Sequence, residues 1–311
     1  GAAGSIGSQL LRQLLNTTSK KIIGFDNSEF DLFNLKNELK DFKRIKLYLG
    51  DILDTNFINY IIKKEKIDLV FHAAAYKHVG MLQENISSAI RNNIFGTKSV
   101  LMSAKKHNIP IVTISTDKAV RPTSVLGLTK RISEILCLKY NKHNFSSKVV
   151  RFGNVFGSVG SAVPTFIYQI NNRIPITVTH KNVKRYFMSI KEAVQLIINS
   201  SYLNKKKFSI YALEMGDQIK IIDIASRIIR LSGYSVKSKK NPNGDFAIKI
   251  IGLKKGEKMK EEISLGTNLK KTENKKIMLC DDKIVTFSSL YNSLNKKIDR
   301  GGMNLIKKLI S

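Results

Sequence analysis

The chain has 311 residues, of which 42% are apolar, with 53 lysines and arginines set against 24 acidic residues. The apolar fraction excludes a disordered chain, the length provides for a sizeable core, and no apolar run reaches the ~18 residues of a membrane span. Cys137 and Cys280 belong to no CxxC pair, so neither a disulfide framework nor a cysteine zinc site is expected, no metal is called for, and a reducing compartment fits. The net charge of +29 rests on 42 lysines, scattered from Lys20 to Lys308, and 11 arginines. With few arginine forks and no aromatic-interleaved basic patch, nucleic acid is not an expected partner. Runs such as Lys205–Lys207 read as solvated loops, and the positive field suits an anionic small molecule.

In chain order, the first feature is a glycine turn, Gly1-Ala2-Ala3-Gly4-Ser5-Ile6-Gly7, opening a helical pattern over Ser5–Leu15. Strand-like apolar runs follow at Lys21–Phe25, Ile45–Leu49, Asp68–His72, Pro110–Ser115 and Lys148–Phe152. Between them lie helical patterns near Phe30–Leu39, Thr55–Lys64, Ser87–His107 and Leu126–Asn141. This is the rhythm of a parallel sheet with helical crossovers, its Ile- and Val-rich runs buried on both faces. Past about Gly153 it gives way to helices at Ala162–Asn171, Lys191–Ser200 and Ile219–Leu231 and strands at Ile176–Thr179 and Phe246–Ile251. The expected fold class is α/β: a Rossmann-like doubly wound parallel sheet over residues 1–153, with a smaller C-terminal substrate-binding lobe over 154–311 interleaved with it. Val236–Asp245 and Thr267–Lys276 read as segments of little regular structure. A sheet of this kind begins with a buried strand leading into the glycine turn, so a first strand is expected ahead of Gly1. Met303–Ile310 reads as part of an amphipathic helix.

The glycine turn admits a pyrophosphate onto free N–H groups at the positive end of a helix. Alone it is a weak signal, but three further features stand in register with it. Asp26 ends the next strand nineteen residues after Gly7, where a carboxylate accepts from ribose hydroxyls. Asp51-Ile52 ends the following one, where an acidic side chain meets the adenine amine. His72-Ala73-Ala74-Ala75 offers small side chains across which a dinucleotide lies. Asp26 repels a 2′-phosphate, which favours NAD; rearrangement of Asn27 and Ser28 keeps NADP open. Next come Ser115-Thr116-Asp117-Lys118 and Val125-Leu126-Gly127-Leu128-Thr129-Lys130. In a short-chain dehydrogenase a YxxxK pair follows this strand, the tyrosine acting as acid and base and the lysine lowering its pKa. Lys130 occupies the lysine position, but Leu126 stands where the tyrosine would be and cannot move a proton. A dead enzyme, a surface helix, or proton chemistry transferred to Asp117 and Lys118 would each account for it.

These stretches, with FDNSEF, GDILD, VFHAAAYKHVGML, NNIFGT, ISTDKAVRPTSVLGLTKR, VRFGNVFGS, ITVTH, RYFMSIKEAVQLI and GLKKGEKMKEEI, resemble the nucleotide-sugar 4,6-dehydratases of bacterial polysaccharide biosynthesis. That family lies within the extended short-chain dehydrogenase superfamily, and the chain looks like its long, membrane-anchored kind. The resemblance runs from Gly1 to about Ile263. It implies that Gly1, Gly4, Ser5, Ile6, Gly7, Asp26, Asp51, Ile52, Ala73, Ala75 and Asn92 hold the dinucleotide, with Lys130 on its ribose. Lys77 and His78 would face the sugar, Asn154 would approach the substrate, Thr177 and Thr179 would line the uracil, and Arg185 and Lys258 would meet the diphosphate. Glu257 reads as an orienting partner. The family has methionine at the position of Leu126, proline at Gly80 and Arg-Pro at Lys254-Lys255; lysine offers the diphosphate a point charge where arginine offers a fork.

What the resemblance implies is a lyase converting UDP-N-acetylglucosamine to a 4-keto-6-deoxy sugar for capsule, O-antigen or glycan synthesis. Its partners would be the UDP-sugar and other copies of the chain, in a cytoplasmic domain tethered by a membrane segment upstream. Asp117 is the expected acid at C6, Lys118 the expected base at C5, and a water held by Thr116, or Asp117 itself, takes the C4 hydroxyl proton. The alternatives are an epimerase or C5-inverting dehydratase on the same scaffold, and a non-catalytic dinucleotide-binding regulator.

Overall fold

The computed structural model describes residues 1–39, 43–141, 145–203, 208–266 and 269–281. Strands β1 (Ile22–Asp26), β2 (Ile45–Leu49), β3 (Val70–His72), β4 (Ile111–Ile114) and β5 (Ser147–Arg151) alternate with helices. Helix α1 (Ser5–Leu14) precedes β1, α2 (Glu29–Glu38) and α3 (Thr55–Glu65) flank β2, and α7 (Val125–Tyr140) joins β4 to β5. Side-chain caps start several of them: Ser28 accepts from the Asp31 amide, Asp54 from Phe57 and Ser124 from Gly127. Every residue of β4 and β5 is buried, as befits parallel strands covered on both faces.

Between β3 and β4 the expected single helix over Ser87–His107 is a succession: α4 (Val79–Glu84), α5 (Ile86–Ala89), a π-helical stretch Ile90–Gly96 and α6 (Thr97–Lys106). The π turn carries Asn93, whose amide bonds both backbone groups of Tyr76, at 2.8 and 3.0 Å, and the Thr129 hydroxyl at 3.1 Å. One side chain thereby fastens the loop after β3 to α7.

The second half contains β6 (Asn154–Val155), α8 (Ala162–Asn171), β7 (Ile176–Val178), β8 (Lys184–Arg185), β9 (Phe187–Met188), α9 (Ile190–Tyr202) and β10 (Phe208–Leu213). It continues with β11 (Ile219–Lys220), α10 (Ile221–Leu231), β12 (Ile248–Ile250), β13 (Leu269–Lys271) and β14 (Ile277–Cys280). Three of these strands return to the main sheet, whose order is β13-β14-β10-β5-β4-β3. Strand β10 runs parallel to β5, while β14 and β13 are antiparallel additions, so the sheet is mixed rather than wholly parallel. The strand β13 corrects the expectation of little regular structure over Thr267–Lys276: its two lysines are exposed on a sheet edge, and composition reads such a strand as loop. Val236–Asp245 is built of turns, with isolated bridges Val236–Phe246 and Ser238–Asn241. The helix expected from Ile219 starts at Ile221, and β12 pairs in parallel with β7. Phe166, Ile170, Ile176, Val178, Ile224 and Ile229 form a core of their own under these elements. No helix among the described residues is long and apolar enough to cross a membrane. Met303–Ile310 lies outside the described residues.

Strands β1 and β2 form a separate parallel pair. Among the described residues β1 pairs only with β2 and β3 only with β4, and a cavity of about 800 Å³ lined by Leu10, Ile22, Ile23, Phe25, Val70 and Phe71 lies beside them. At its end the Gly1 nitrogen donates to the Phe25 carbonyl at 2.8 Å. These two strand edges, unpaired among the described residues, flank the cavity, and it is there that the expected strand is put to the test. An extension of about six apolar residues ahead of Gly1 is expected to add at least about 2 kcal/mol, the worth of one or two buried backbone groups gaining partners. Denaturant melts of the two forms check this; equal stability would show that the cavity is not a strand site.

Candidate active site

The glycine turn is held by contacts that exclude larger residues. A Cβ on Gly1 would lie 2.4 Å from the Ala74 nitrogen, and one on Gly7 would lie 1.9 Å from the Gly1 carbonyl oxygen. Turn and post-β3 loop therefore touch backbone to backbone, which aligns Ala73, Ala74 and Ala75 beside the start of α1. Gly4 is the N-cap of α1 and brings no side chain to it, so the amides of Ser5, Ile6 and Gly7 present an anion-binding helix end. Asp26 ends β1: its Oδ2 accepts from the Ala3 amide at 2.9 Å and its Oδ1 from Ser28 at 3.1 Å. Asn27 is exposed, and the Ser28 hydroxyl is spent on Asp31 at 2.7 Å. Asp51 is exposed and accepts from the Leu53 amide, Ile52 is buried against Gly96, and Asn92 donates to Asn93 at 3.1 Å.

Below this crevice lies His72, buried, its Nε2 2.9 Å from the Thr97 hydroxyl. Burial, reinforced by Lys130, pushes its pKa well below the ordinary histidine value, so the ring is neutral. Lys130 is itself buried on α7, and burial pushes its ammonium down to about 8. One turn earlier, Leu126 is buried with Leu82, Ala89 and Val125 in an apolar cluster.

The turn after β4 carries the titratable pair. Asp117 is fully buried; its Oδ1 accepts from the Thr116 hydroxyl at 2.8 Å and from the Lys118 ammonium at 3.0 Å. Lys118 also donates to Oδ1 of the Asn154 side-chain amide at 3.2 Å. The other Asp117 oxygen, Oδ2, has no hydrogen-bond partner among the described residues. An acid, a cation, a hydroxyl and an amide thus converge within one network, the components of proton transfer to and from a bound molecule.

A network absent from the sequence reading anchors this turn. Ser115, the residue before Thr116, donates to Glu134 Oε1 at 2.6 Å. Arg151 embraces both oxygens of Glu134 at 2.8 Å, and Arg131 donates to Oε2 at 2.8 Å. All four side chains are buried. Burial alone would raise the Glu134 carboxyl, but Arg151 and Arg131 outweigh it, and its pKa lies below 4.5. The only available signal was a charged residue one turn past Lys130 on a helix that buries nearly every side.

The outer residues fall into two sets. Thr179 donates to Glu257 Oε1 at 2.9 Å and Arg185 meets the same atom at 3.1 Å. Lys258 donates to the Val120 carbonyl at 2.7 Å, which brings it to the Asp117–Lys118 turn. Thr177 is held instead by Gln169, side chain to side chain at 2.8 Å. Lys77 and His78 stand at the start of α4; partial burial lowers both pKa values, and Lys77 adds to the effect on His78. The His78 ring covers Gly160, where a Cβ would lie 2.3 Å from it.

The family of polysaccharide biosynthesis proteins matches the chain over residues 1–282. The chain belongs to that family. CapD of Staphylococcus aureus, a capsular polysaccharide biosynthesis protein, is 41% identical over 270 residues, covering 85% of this chain and 44% of CapD. The chain therefore spans less than half the length of that relative. Pen from Bacillus thuringiensis has a solved structure that superposes with a TM-score of 0.80 at 30% identity, covering 92% of this chain and 88% of Pen. The dTDP-glucose 4,6-dehydratase DesIV from Streptomyces venezuelae, solved with NAD and DAU bound, shares the fold at a TM-score of 0.74 and 18% identity, over 84% and 86% of the two chains. The α/β Rossmann-like fold with its mixed sheet is common to all three superposed chains.

Removing Glu134 leaves two buried guanidinium groups without their carboxylate. Glu134→Ala is expected to cost about 3–5 kcal/mol of folding stability, read by denaturant melts. Because the carboxyl is held below its ordinary value in the folded state, its contribution is fully present above about pH 4.5 and fades as the pH falls further. The parent should lose stability over that acid range more steeply than the variant.

Proposed function

We propose that this chain is the NAD-binding catalytic part of a nucleotide-sugar 4,6-dehydratase that acts on UDP-N-acetylglucosamine. The observation that carries the reading is the pair of buried Asp117 and half-buried Lys118, joined by Thr116 and Asn154 next to a glycine-turn crevice, with Leu126 packed in apolar surroundings where a dehydrogenase tyrosine would stand. A dinucleotide fits this crevice: the α1 N-terminus is free of a side-chain cap for its pyrophosphate, and Asp26 is pinned by two backbone amides beside it. That fixed carboxylate opposes a 2′-phosphate and favours NAD over NADP. When bound, NAD supplies the reversible hydride acceptor that the chemistry needs.

The chain's own residues do the rest. Lys130 would supply a positive charge to the nicotinamide ribose of a bound NAD. Thr116 orients a water that relays the C4 hydroxyl proton to the Asp117 carboxylate, which thereby becomes the acid for the later step. Once C4 is a ketone, the C5 proton is acidic; Lys118 accepts it as an amine, and Asp117 protonates the departing C6 hydroxyl so that it leaves as water. Arg185 and Lys258 meet the diphosphate, Thr177 and Thr179 the uracil, and Lys77, His78 and Asn154 the sugar. Family membership supports the substrate class, and Leu126 supports a proton chemistry that bypasses tyrosine.

Incubation with UDP-N-acetylglucosamine should give a product lighter by one water. A product of unchanged mass would indicate an epimerase, and unconverted substrate a non-catalytic binder. Leu126→Met should leave turnover within a few-fold of the parent, since one buried aliphatic side chain replaces another. Lys118→Met should retain NAD and permit oxidation at C4 but abolish deuterium uptake at C5 in heavy water, followed by mass spectrometry. Asp117→Asn should lower water elimination by ~10²–10⁴-fold, the usual worth of a general acid. Deuterium entering C5 at the parental rate in Lys118→Met would remove Lys118 from the mechanism.

A further inference from the structure

The segment from Lys254 to Gly266 has no regular secondary structure, yet it is tied down along its length. Thr123 donates to the Gly256 carbonyl at 2.8 Å, the Lys184 amide to Met259 at 2.9 Å, Gln218 to Glu261 at 2.6 Å and Arg151 to Ile263 at 3.3 Å. This strap carries Glu261 into the protein interior, where the residue is only 4% exposed. Glu261 Oε2 lies 3.3 Å from the Lys258 ammonium, close enough for an ion pair but without hydrogen-bond alignment. Among the described residues it is one of three buried acceptors in this region that lack a donor, with Asp117 Oδ2 and Gln218 Oε1. An ionised carboxylate only accepts, whereas a protonated one brings an O–H.

The charges around Glu261 are finely opposed. Burial pushes its carboxyl above the ordinary value; Lys118 pulls it down, Asp117 pushes it up, and Lys258 and Arg185 pull it down. Asp117 and Lys118 face it from the turn after β4, Arg185 from β8 with Glu257 paired to it, and Lys258 from the strap itself. The neighbouring Glu262 is paired outward with Arg121. Two of the three cations that favour the ionised form are the groups assigned above to a diphosphate. A diphosphate on them adds negative charge and spends their positive field, which leaves burial and Asp117 to prevail.

We propose that Glu261 takes up a proton when a nucleotide diphosphate engages Lys258 and Arg185. Substrate binding and the charge state of this carboxyl are then one linked equilibrium, and the binding-competent form is the neutral acid. Glu261 is a positioning residue: as the neutral acid it adds no second negative charge beside Asp117 and Lys118 while a doubly charged ligand is present. The inference rests on the nucleotide-sugar reading above.

The test is calorimetric binding of a UDP-4-deoxysugar to the NAD-loaded protein, in two buffers of different ionisation enthalpy, from about pH 5 to about pH 8. The ligand has no 4-hydroxyl to oxidise, and its diphosphate diester does not titrate in this range. The parent should take up a fraction of a proton on binding, with affinity falling by up to tenfold per pH unit across the transition, the limit for one linked proton. Glu261→Gln, a mimic of the neutral acid, should still bind but lose that uptake and slope. Parental uptake in Glu261→Gln, or parental binding without uptake, would overturn the proposal. Should Glu261→Gln not fold, infrared difference spectra of the parent with carboxyl-labelled glutamate decide: ligand should produce a protonated-carboxyl band, and its absence overturns the proposal. A parent that fails to bind the UDP ligand at all overturns the nucleotide-sugar reading instead, and this inference with it.

Discussion

A carboxylate removed from water has to be met by donors on every side, and Glu134 meets that condition by drawing three separate parts of the chain together. Its two oxygens collect Ser115 from the end of β4, Arg151 from the end of β5 and Arg131 from its own helix. The turn that begins at Thr116 therefore leaves the sheet from a fixed point, and α7 lies against it at a fixed height. Burying so much charge is costly, and apolar packing of the same volume can serve stability as well. What apolar packing does not supply is direction. Hydrogen bonds aimed at two carboxylate oxygens set the orientation of the strand end as well as its distance.

The same economy of fixed points recurs at the glycine turn and at Asn93. Gly1 and Gly7 let two backbones touch where any side chain would force them apart. Asn93 uses both ends of its amide to hold the loop that follows β3. Together these contacts hold the glycine turn, the loop after β3 and α7 against one another. Asp117 retains a buried oxygen that nothing among the described residues engages.

Much of the architecture was legible in one dimension because buried parallel strands are written as short apolar runs and their crossovers as amphipathic ones. β1, β2, β4 and β5 and the helices α2, α3 and α7 came through with boundaries displaced by at most one residue, whereas the stretch expected as one helix over Ser87–His107 is broken by a π turn. The return of β10, β13 and β14 to the main sheet did not, since a strand such as Leu269–Lys271 has exposed lysines on an edge and looks like its neighbouring loop. Within the site, Asp117, Lys118 and Asn154 were readable from their motifs, and they meet in space. The Glu134 network joins residues 17 and 19 positions apart on different elements, a separation with no periodic signature. Glu261 stood in a quoted motif, but a glutamate among lysines reads as a solvated charge until the strap that buries it is seen.

The π turn over Ile90–Gly96 has a consequence for how the gene can vary. A π turn holds one residue more than the α-helical path around the same axis, and the register of everything after it depends on that residue. Deleting one position between Thr97 and Val100, with the π turn kept, would rotate Asn93 relative to Val100 and Leu101 by roughly a quarter turn or more. Either the amide would then leave Tyr76 and Thr129, or the apolar residues Val100 and Leu101, buried in the sheet-facing core, would turn toward water. Substitutions along this helix can be absorbed one side chain at a time, whereas a change in its length is felt at both ends at once. Reading frames that drift elsewhere by insertion and deletion should keep this stretch constant in length.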